Sequence, residues 1–158
     1  MSFFHSLKIA SLRRDTRDAV LIHFEIPESL SSEFTYQPGQ HVTLRAYIQG
    51  EEVRRSYSIC SAIQDNELRI AIKKVSDGLF STWATSSLEA GMVIDVMPPA
   101  GNFHVPFDEA SQRSYLAIAA GSGITPIFSI MKSTLLAEPN SRFTLVYGNR
   151  ASSAIMLR

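Results

Sequence analysis

The sequence predicts a mainly β unit followed by an α/β unit: a six-stranded antiparallel barrel or sandwich, then the first βαβ part of a parallel-sheet domain. Two observations predict this. Six short apolar or alternating runs precede residue 105, with turn residues between most of them. After Pro106 the pattern switches to a strand, a glycine turn, an apolar helix and a second strand.

In chain order, strands are expected over 6–12, 19–26, 42–48, 55–60, 67–73 and 93–97. Pro27, Pro38-Gly39, Gly50, Asp65-Asn66 and Gly91 fall between the runs, where a fixed or permissive φ is wanted. Residues 79–88 read as a short helix. Past a linker at 107–113, the runs Tyr115–Ala119 and Phe143–Tyr147 are continuously apolar, as in parallel strands covered on both faces, and flank a helix from Pro126 to about Ala137. Ala151–Arg158 reads as the start of a further helix. The expected division is 1–106 for the barrel and 107–158 for an incomplete second unit.

A chain of 158 residues suits one domain or two small ones at roughly 150 residues per domain. With 45% hydrophobic and 19% charged residues it has enough apolar surface for a core, so disorder is excluded. Fifteen Lys+Arg balance fifteen Asp+Glu, leaving no overall basic field for nucleic acid. The single cysteine, Cys60, can form no internal disulfide and cannot by itself hold a zinc finger or an all-cysteine iron–sulfur cluster. A cytoplasmic location is expected, since the start of the chain, from Met1 to Lys8, lacks a leader pattern and no apolar run reaches about 18 residues.

Four stretches carry chemistry. Gly121-Ser122-Gly123-Ile124-Thr125-Pro126 follows one strand and opens a helix. Gly121 and Gly123 let a ligand approach the backbone, Thr125 suits an N-cap, Pro126 suits the first turn, and the helix end faces an anion. Pro126 stands where the usual dinucleotide fingerprint has its third glycine. After the second strand comes Tyr147-Gly148-Asn149-Arg150, where an arginine in place of an acidic residue favours a 2′-phosphate, hence NADP over NAD. In Arg55-Ser56-Tyr57-Ser58, the guanidinium can clasp phosphate, the tyrosine can stack on a heterocycle and a serine can donate to a ring nitrogen. Side chains alternate along that strand, placing Arg55 and Tyr57 opposite Ser56 and Ser58. Gly78-Leu79-Phe80-Ser81-Thr82 is a second glycine turn at a helix start. Taken singly, each also fits a plainer reading: an ordinary strand-to-helix turn, a surface arginine, a polar edge strand, a capped helix. Two phosphate-type loops, one in each half, are harder to explain by capping alone.

Together, in order and spacing, these stretches resemble the ferredoxin–NADP reductase superfamily, whose R-x-Y-S and G-x-x-S flavin motifs match Arg55 to Ser58 and Gly78 to Ser81. Within it, Pro38 to His41, Arg55 to Cys60, Leu116 to Pro126 and Tyr147 to Arg150 look most like reductase components of oxygenase systems of the phenylacetyl-CoA epoxidase type. The resemblance implies an FAD-dependent oxidoreductase of phenylacetate catabolism, passing electrons from NADPH through flavin to an iron–sulfur centre and an oxygenase. It implies Arg55 on the FAD pyrophosphate, Tyr57 stacked on the isoalloxazine and Ser58 near its N5, the latter two at the reacting end. Ser56 belongs to the same strand site, and Lys74 and Val75 would border the ring through main chain. Gly78, Leu79, Phe80, Ser81 and Thr82 would wrap the pyrophosphate. Gly121, Gly123, Thr125 and Pro126 would shape the nicotinamide-nucleotide site, with Arg150 on the 2′-phosphate. Any [2Fe–2S] cluster would belong to a longer parent chain or a separate partner.

The remaining candidates read as structural. Cys60, two residues past Ser58, reads as a small buried hydrophobe. His5, His23, His41 and His104 lack metal-ligand spacing and so no metal is expected, though the resemblance puts His41 near the flavin. Asp15 and Asp18, among Arg13, Arg14 and Arg17, read as a solvated turn. The two open parallel strands are expected to seek a partner, such as a second copy of the chain. The alternative to an active reductase is a flavin-binding or interaction module that NADPH does not reduce.

Overall fold

The computed structural model describes residues 3–158; Met1 and Ser2, part of the segment read for a leader, lie outside the described residues. The chain runs β1 (His5–Thr16), β2 (Ala19–Glu25), β3 (His41–Ile48), β4 (Glu51–Ser58), β5 (Leu68–Lys73), α1 (Leu79–Ser87), β6 (Val93–Val96), β7 (Ser114–Ala120), α2 (Ile124–Ala137) and β8 (Arg142–Gly148). Strands β1 to β6 form one sheet in the order β4-β3-β6-β1-β2-β5, and β7 pairs with β8. The first sheet is antiparallel throughout and the second parallel, so the expected mainly β plus α/β architecture is present. No helix among the described residues is long and apolar enough to cross a membrane.

The six strands close on themselves. An antiparallel bridge joins Ile59, just past β4, to Ile70 of β5, and the Cys60 N–H donates to the Arg69 carbonyl at 2.8 Å. Alternation along the strands sends Leu7, Ile9, Ile22, Phe24, Leu44 and Ile70 into one fully buried core. Each such side chain contributes about 1.5–3 kcal/mol by leaving water. The tight β3–β4 connection has Gln49 at φ 55 and Gly50 at φ 86, the left-handed pair that matches the twist of a two-residue hairpin. That turn lets β4 begin at Glu51, earlier than the apolar run at 55–60 suggests.

Strand β2 is buried on both faces. Val20, Ile22 and Phe24 face the barrel interior, while Ala19 and Leu21 join Cys60, Ala71, Ala119, Ile124 and Met156 in a second cluster outside it. This second cluster is the seam between barrel and βαβ unit. Helix α2 lies along it through a polar stripe: Ser129 donates to the Ser61 carbonyl at 2.6 Å, Ser133 accepts from the Ile63 N–H at 3.2 Å, and Lys132 pairs with Asp65 at 2.5 Å. At the far end of α2, buried Glu138 accepts from the Ser141 hydroxyl at 2.7 Å, the Tyr115 hydroxyl at 2.9 Å and the Asp108 N–H at 3.2 Å. It ties the linker to both parallel strands.

Three expectations are corrected. Ala151–Arg158 is not a helix; a 3₁₀ turn at Ser152–Ala154 leads into extended chain. Eight residues nucleate a helix poorly, and burying Met156 in the seam draws the segment out. The parallel strands are not covered on both faces: Leu116, Ile118 and Val146 are exposed. Asp15 does not sit in a solvated turn, because β1 continues through it and its carboxylate accepts from the Leu157 N–H at 3.0 Å.

Candidate functional site

Where the two halves meet, a cleft of about 400 Å³ is lined by residues of both. Strand β4 contributes Arg55, Ser56, Tyr57 and Ser58, so all four reach its wall despite their alternation. The loop after β5 and the start of α1 contribute Val75, Gly78, Phe80 and Ser81. The βαβ unit contributes Ser122, Gly123, Thr125 and Pro126. Three stretches far apart in the chain thus line one cleft.

Local structure explains how each is held. Tyr57 is half-buried with its ring 5.8 Å from that of Phe80, which in turn meets Trp83 edge-on at 5.5 Å. Burial pushes the Tyr57 hydroxyl up to about 12, so it is a neutral, flat, amphipathic wall at physiological pH. The Ser81 hydroxyl accepts from the Val75 N–H and donates to the Gly78 carbonyl, both at 3.2 Å. It therefore locks the loop 75–78 in front of α1. Gly78 is confined: a Cβ there would lie 2.4 Å from the Val75 side chain and 2.5 Å from Ser81 Oγ. The N–H groups of Leu79, Phe80 and Ser81, at the start of α1, have no partner within the helix. Gly121, at φ +52, and Gly123 present the opposite condition, since a Cβ on either would meet nothing within 4 Å. Gly123 leaves open backbone at the cleft. Thr125 is not the N-cap of α2; Gly123 is, and Thr125 lies one residue inside the helix with its hydroxyl on the Ser122 carbonyl at 3.0 Å.

An adjoining compartment of about 920 Å³ shares Lys73, Val75 and Ser122 with the cleft. Arg17, Lys73, Lys74 and Arg150 line it against a single carboxylate, Asp18. Gly121 and Asn149 also line it, and both polar atoms of the Asn149 carboxamide are buried without a partner. Lys74 and Arg150, read in the sequence as flavin and nucleotide contacts, thus lie on this cationic side. Leu79 and Thr82 line neither compartment; they face a groove on the other side of α1, which shares only Gly78 with the cleft. Sequence reasoning missed Ala71, Lys73 and Ser122 in the cleft, and Arg17 and Asn149 beside it. Ser122 and Asn149 stand inside the quoted motifs and were within reach. Arg17 was not, because only the fold brings the β1–β2 turn to the end of β8.

Cys60 turns away from the cleft into the seam and is 2% exposed, with burial pushing its thiol up to about 12. It is the packed hydrophobe expected. His41 stands in β3 opposite Ser58, against Gly101.

The donor set fits a bound dinucleotide flavin: a guanidinium, a glycine-gated helix start and an aromatic wall in one cleft, with a phosphate-attracting compartment beside it. An antiparallel barrel joined in this way to a βαβ nucleotide unit defines the flavin- and nicotinamide-nucleotide-binding oxidoreductases. Residues 6–105 match the family "Oxidoreductase FAD-binding domain" and residues 117–158 match "Oxidoreductase NAD-binding domain". The chain belongs to the first family, and residues 117–158 are similar to the second.

Relatives agree. The chain is 47% identical over 158 residues to a component of the 1,2-phenylacetyl-CoA epoxidase of Escherichia coli (strain K12), covering 100% of this chain and 44% of that protein. Its fold matches the flavohem-like FAD/NAD binding domain of nitric oxide dioxygenase from Vibrio cholerae O1 biovar El Tor with a TM-score of 0.84 at 22% identity, over 98% of this chain and 66% of that one. It also matches phthalate dioxygenase reductase, described as a modular structure for electron transfer from pyridine nucleotides to [2Fe-2S], with a TM-score of 0.73 at 29% identity, over 97% of this chain and 46% of that one. The chain spans less than half the length of the E. coli relative.

Proposed function

We propose that this chain is the flavin-holding part of an oxygenase reductase, taking electrons from NADPH and passing them through FAD to an iron–sulfur centre and an oxygenase of the phenylacetyl-CoA epoxidase type. A cytoplasmic location and a division into 1–106 and 107–158 belong to the same proposal. One observation carries it: the cleft is lined by the Arg55–Ser58 strand, the Gly78–Ser81 turn and the Ser122–Pro126 helix start, drawn from both halves. The likeness to an epoxidase component and to a reductase described as transferring electrons to [2Fe-2S] supports the direction of electron flow.

When bound, the flavin supplies acceptance of a hydride and release of single electrons. The chain's residues then have assignable tasks. Tyr57 offers a neutral ring as one wall for the heterocycle, and Ser58, at the end of β4, offers a hydroxyl to its reacting edge. Arg55 and the first-turn N–H groups of α1, opened by Gly78, neutralise pyrophosphate. Gly121 and Gly123 admit the nicotinamide nucleotide from the opposite side, and Val75, lining both compartments, stands between the two ligands. Arg150, backed by Arg17, Lys73 and Lys74, favours a ligand with an added phosphate over one without.

The test is a titration of the purified chain with FAD, followed by NADPH or NADH under anaerobic conditions. Bound, yellow flavin is expected, weakened at least about tenfold by Arg55→Ala through loss of a charge-assisted contact. NADPH is expected to bleach it in preference to NADH, with Arg150→Ala removing the preference. A colourless protein that takes up no FAD overturns the proposal. Flavin that binds and is not bleached leaves the second reading, a flavin-holding module without reductase activity, which the exposed Leu116, Ile118 and Val146 face favours.

A further inference from the structure

The compartment beside the cleft gathers positive charge that the chain does not balance. Arg17, Lys73, Lys74 and Arg150 line it, and none of them pairs with a carboxylate among the described residues. Elsewhere cations do find partners: Lys8 pairs with Glu25, Arg45 with Asp95 and Lys132 with Asp65. The four come from three separate stretches, the β1–β2 turn, the end of β5 and the loop after β8, so they border the space from several sides. Like charges gathered without counter-charges repel, and an anion among them relieves that repulsion.

Their mounting combines fixed anchors with free ends. The turn that carries Arg17 is held at its backbone: Arg14 donates to the Arg17 carbonyl at 3.3 Å and to the Thr85 carbonyl at 3.0 Å, and the Lys74 N–H donates to the Asp18 carbonyl at 2.7 Å. Beyond that frame Arg17, Lys74 and Arg150 are exposed to solvent. Long side chains on such anchors bring charge to a phosphate without dictating which ribose carbon bears it. A carboxylate after the second parallel strand would read a bare ribose diol, and Arg150 stands there instead. Asp18 is the single carboxylate of the lining.

We infer that this compartment accepts an adenosine pyrophosphate bearing a further ribose phosphate at either the 2′ or the 3′ carbon, so that coenzyme A and its thioesters compete with NADPH for it. The inference rests on the NADPH reading above and extends that site to a second class of ligand. Both molecules carry about four negative charges, about two of them on the ribose phosphate. Four cations face them. The two isomers place the ribose phosphate on neighbouring carbons, a displacement within the reach of a mobile arginine or lysine. The arm beyond the pyrophosphate leads to Lys73, Val75 and Ser122, the border with the cleft. Coenzyme A has no ring that gives up a hydride, so its presence there blocks reduction of the flavin. In an oxygenase system of the type proposed above, that competition ties the supply of electrons to the level of coenzyme A esters.

The test is calorimetric titration of the full chain with adenosine 2′,5′-bisphosphate, adenosine 3′,5′-bisphosphate and AMP, followed by competition of coenzyme A against NADPH. Both bisphosphates are expected to bind at least about tenfold more tightly than AMP and within about threefold of each other, since each adds charge-assisted contacts of one kind. Arg150→Ala is expected to weaken both about tenfold, and added salt to weaken both in parallel. The position is exposed, so the circular dichroism of the variant is expected to match that of the native chain. Coenzyme A is expected to raise the apparent dissociation constant of NADPH in proportion to its concentration. A 3′ isomer that binds no better than AMP, beside a 2′ isomer that does, overturns the inference and leaves the NADPH reading standing. So does Arg150→Ala that weakens the 2′ isomer alone, or coenzyme A that leaves NADPH binding unchanged. If neither bisphosphate binds better than AMP, the NADPH reading falls and this inference with it.

Discussion

In the barrel, Leu7, Ile9, Ile22 and Leu44 have no exposed surface, whereas in the βαβ unit Leu116, Ile118 and Val146, residues of the same kind and also on strands, are 66%, 73% and 53% exposed. Composition does not separate the two regions; closure does. Six strands that bridge back through Ile59 and Ile70 give every inward side chain a partner. Two parallel strands with one helix have only one covered face, and it packs on α2 in a cluster that Met156 and the barrel residues Ala19, Leu21 and Ala71 complete. The barrel is therefore a self-contained scaffold. The βαβ unit leans on it along the seam, and the cleft lies on the border between the two.

The largest test of that contrast is Phe24→Ala, which opens a cavity in the closed core. A loss of about 3–5 kcal/mol is expected from chemical denaturation followed by circular dichroism, and the βαβ unit should be lost in the same transition because its seam goes with the barrel. A loss below about 1 kcal/mol would contradict the picture. A smaller effect is expected at Glu138. Its hydrogen bond from Ser141, with that from Tyr115, holds the carboxyl below the usual carboxylate range. A depressed native pKa stabilises the fold at pH values above the ordinary carboxylate range, and that contribution is lost as pH falls through the native value. Melting from pH 7 down to pH 3 should thus weaken the native chain more steeply than Glu138→Gln, with amide exchange in β7 and β8 rising before that of the barrel. Parallel pH profiles would remove Glu138 from the account. The smallest effect is expected from Ile118→Ser, within about 0.5 kcal/mol of the native chain, since the side chain already faces water. Its value lies in sedimentation: concentration-dependent self-association that the substitution abolishes would show that the open face recruits a second copy, and a monomer at all concentrations would show that it does not.

Much of this fold was legible from the sequence because its signals are local. Alternation in β1 and β3, the glycine before each helix and the unbroken apolar runs of β7 and β8 each report on near neighbours. The cleft residues could be read for the same reason, as short strings with fixed spacing. What escaped was set by distant segments. The run from Ala19 to Glu25 looks like any strand, and only the fold shows that its outward side carries the seam. Ser129 and Ser133 look out of place on an apolar helix until the Ser61 carbonyl and Ile63 N–H appear opposite them. Met156 and Leu157 sit in a stretch whose pattern favours a helix, and burial beside β2 together with the Asp15 carboxylate decides otherwise. Arg17 read as a surface charge because its neighbours in the chain are charged, while its neighbours in space are the end of β8.

Cys60 gives the seam a clock. Its sulfur is covered from both halves at once, and at neutral pH the thiol is held in its unreactive form. An alkylating reagent in solution can therefore modify it only in the intervals when α2 and the last residues lift from the barrel. With no other cysteine in the chain, the labelling rate counts those separations alone. Any molecule that bridges the cleft, touching Tyr57 on one wall and Gly123 on the other, would lengthen the interval between them, so a single mass shift followed in time reports how firmly the two halves are held together.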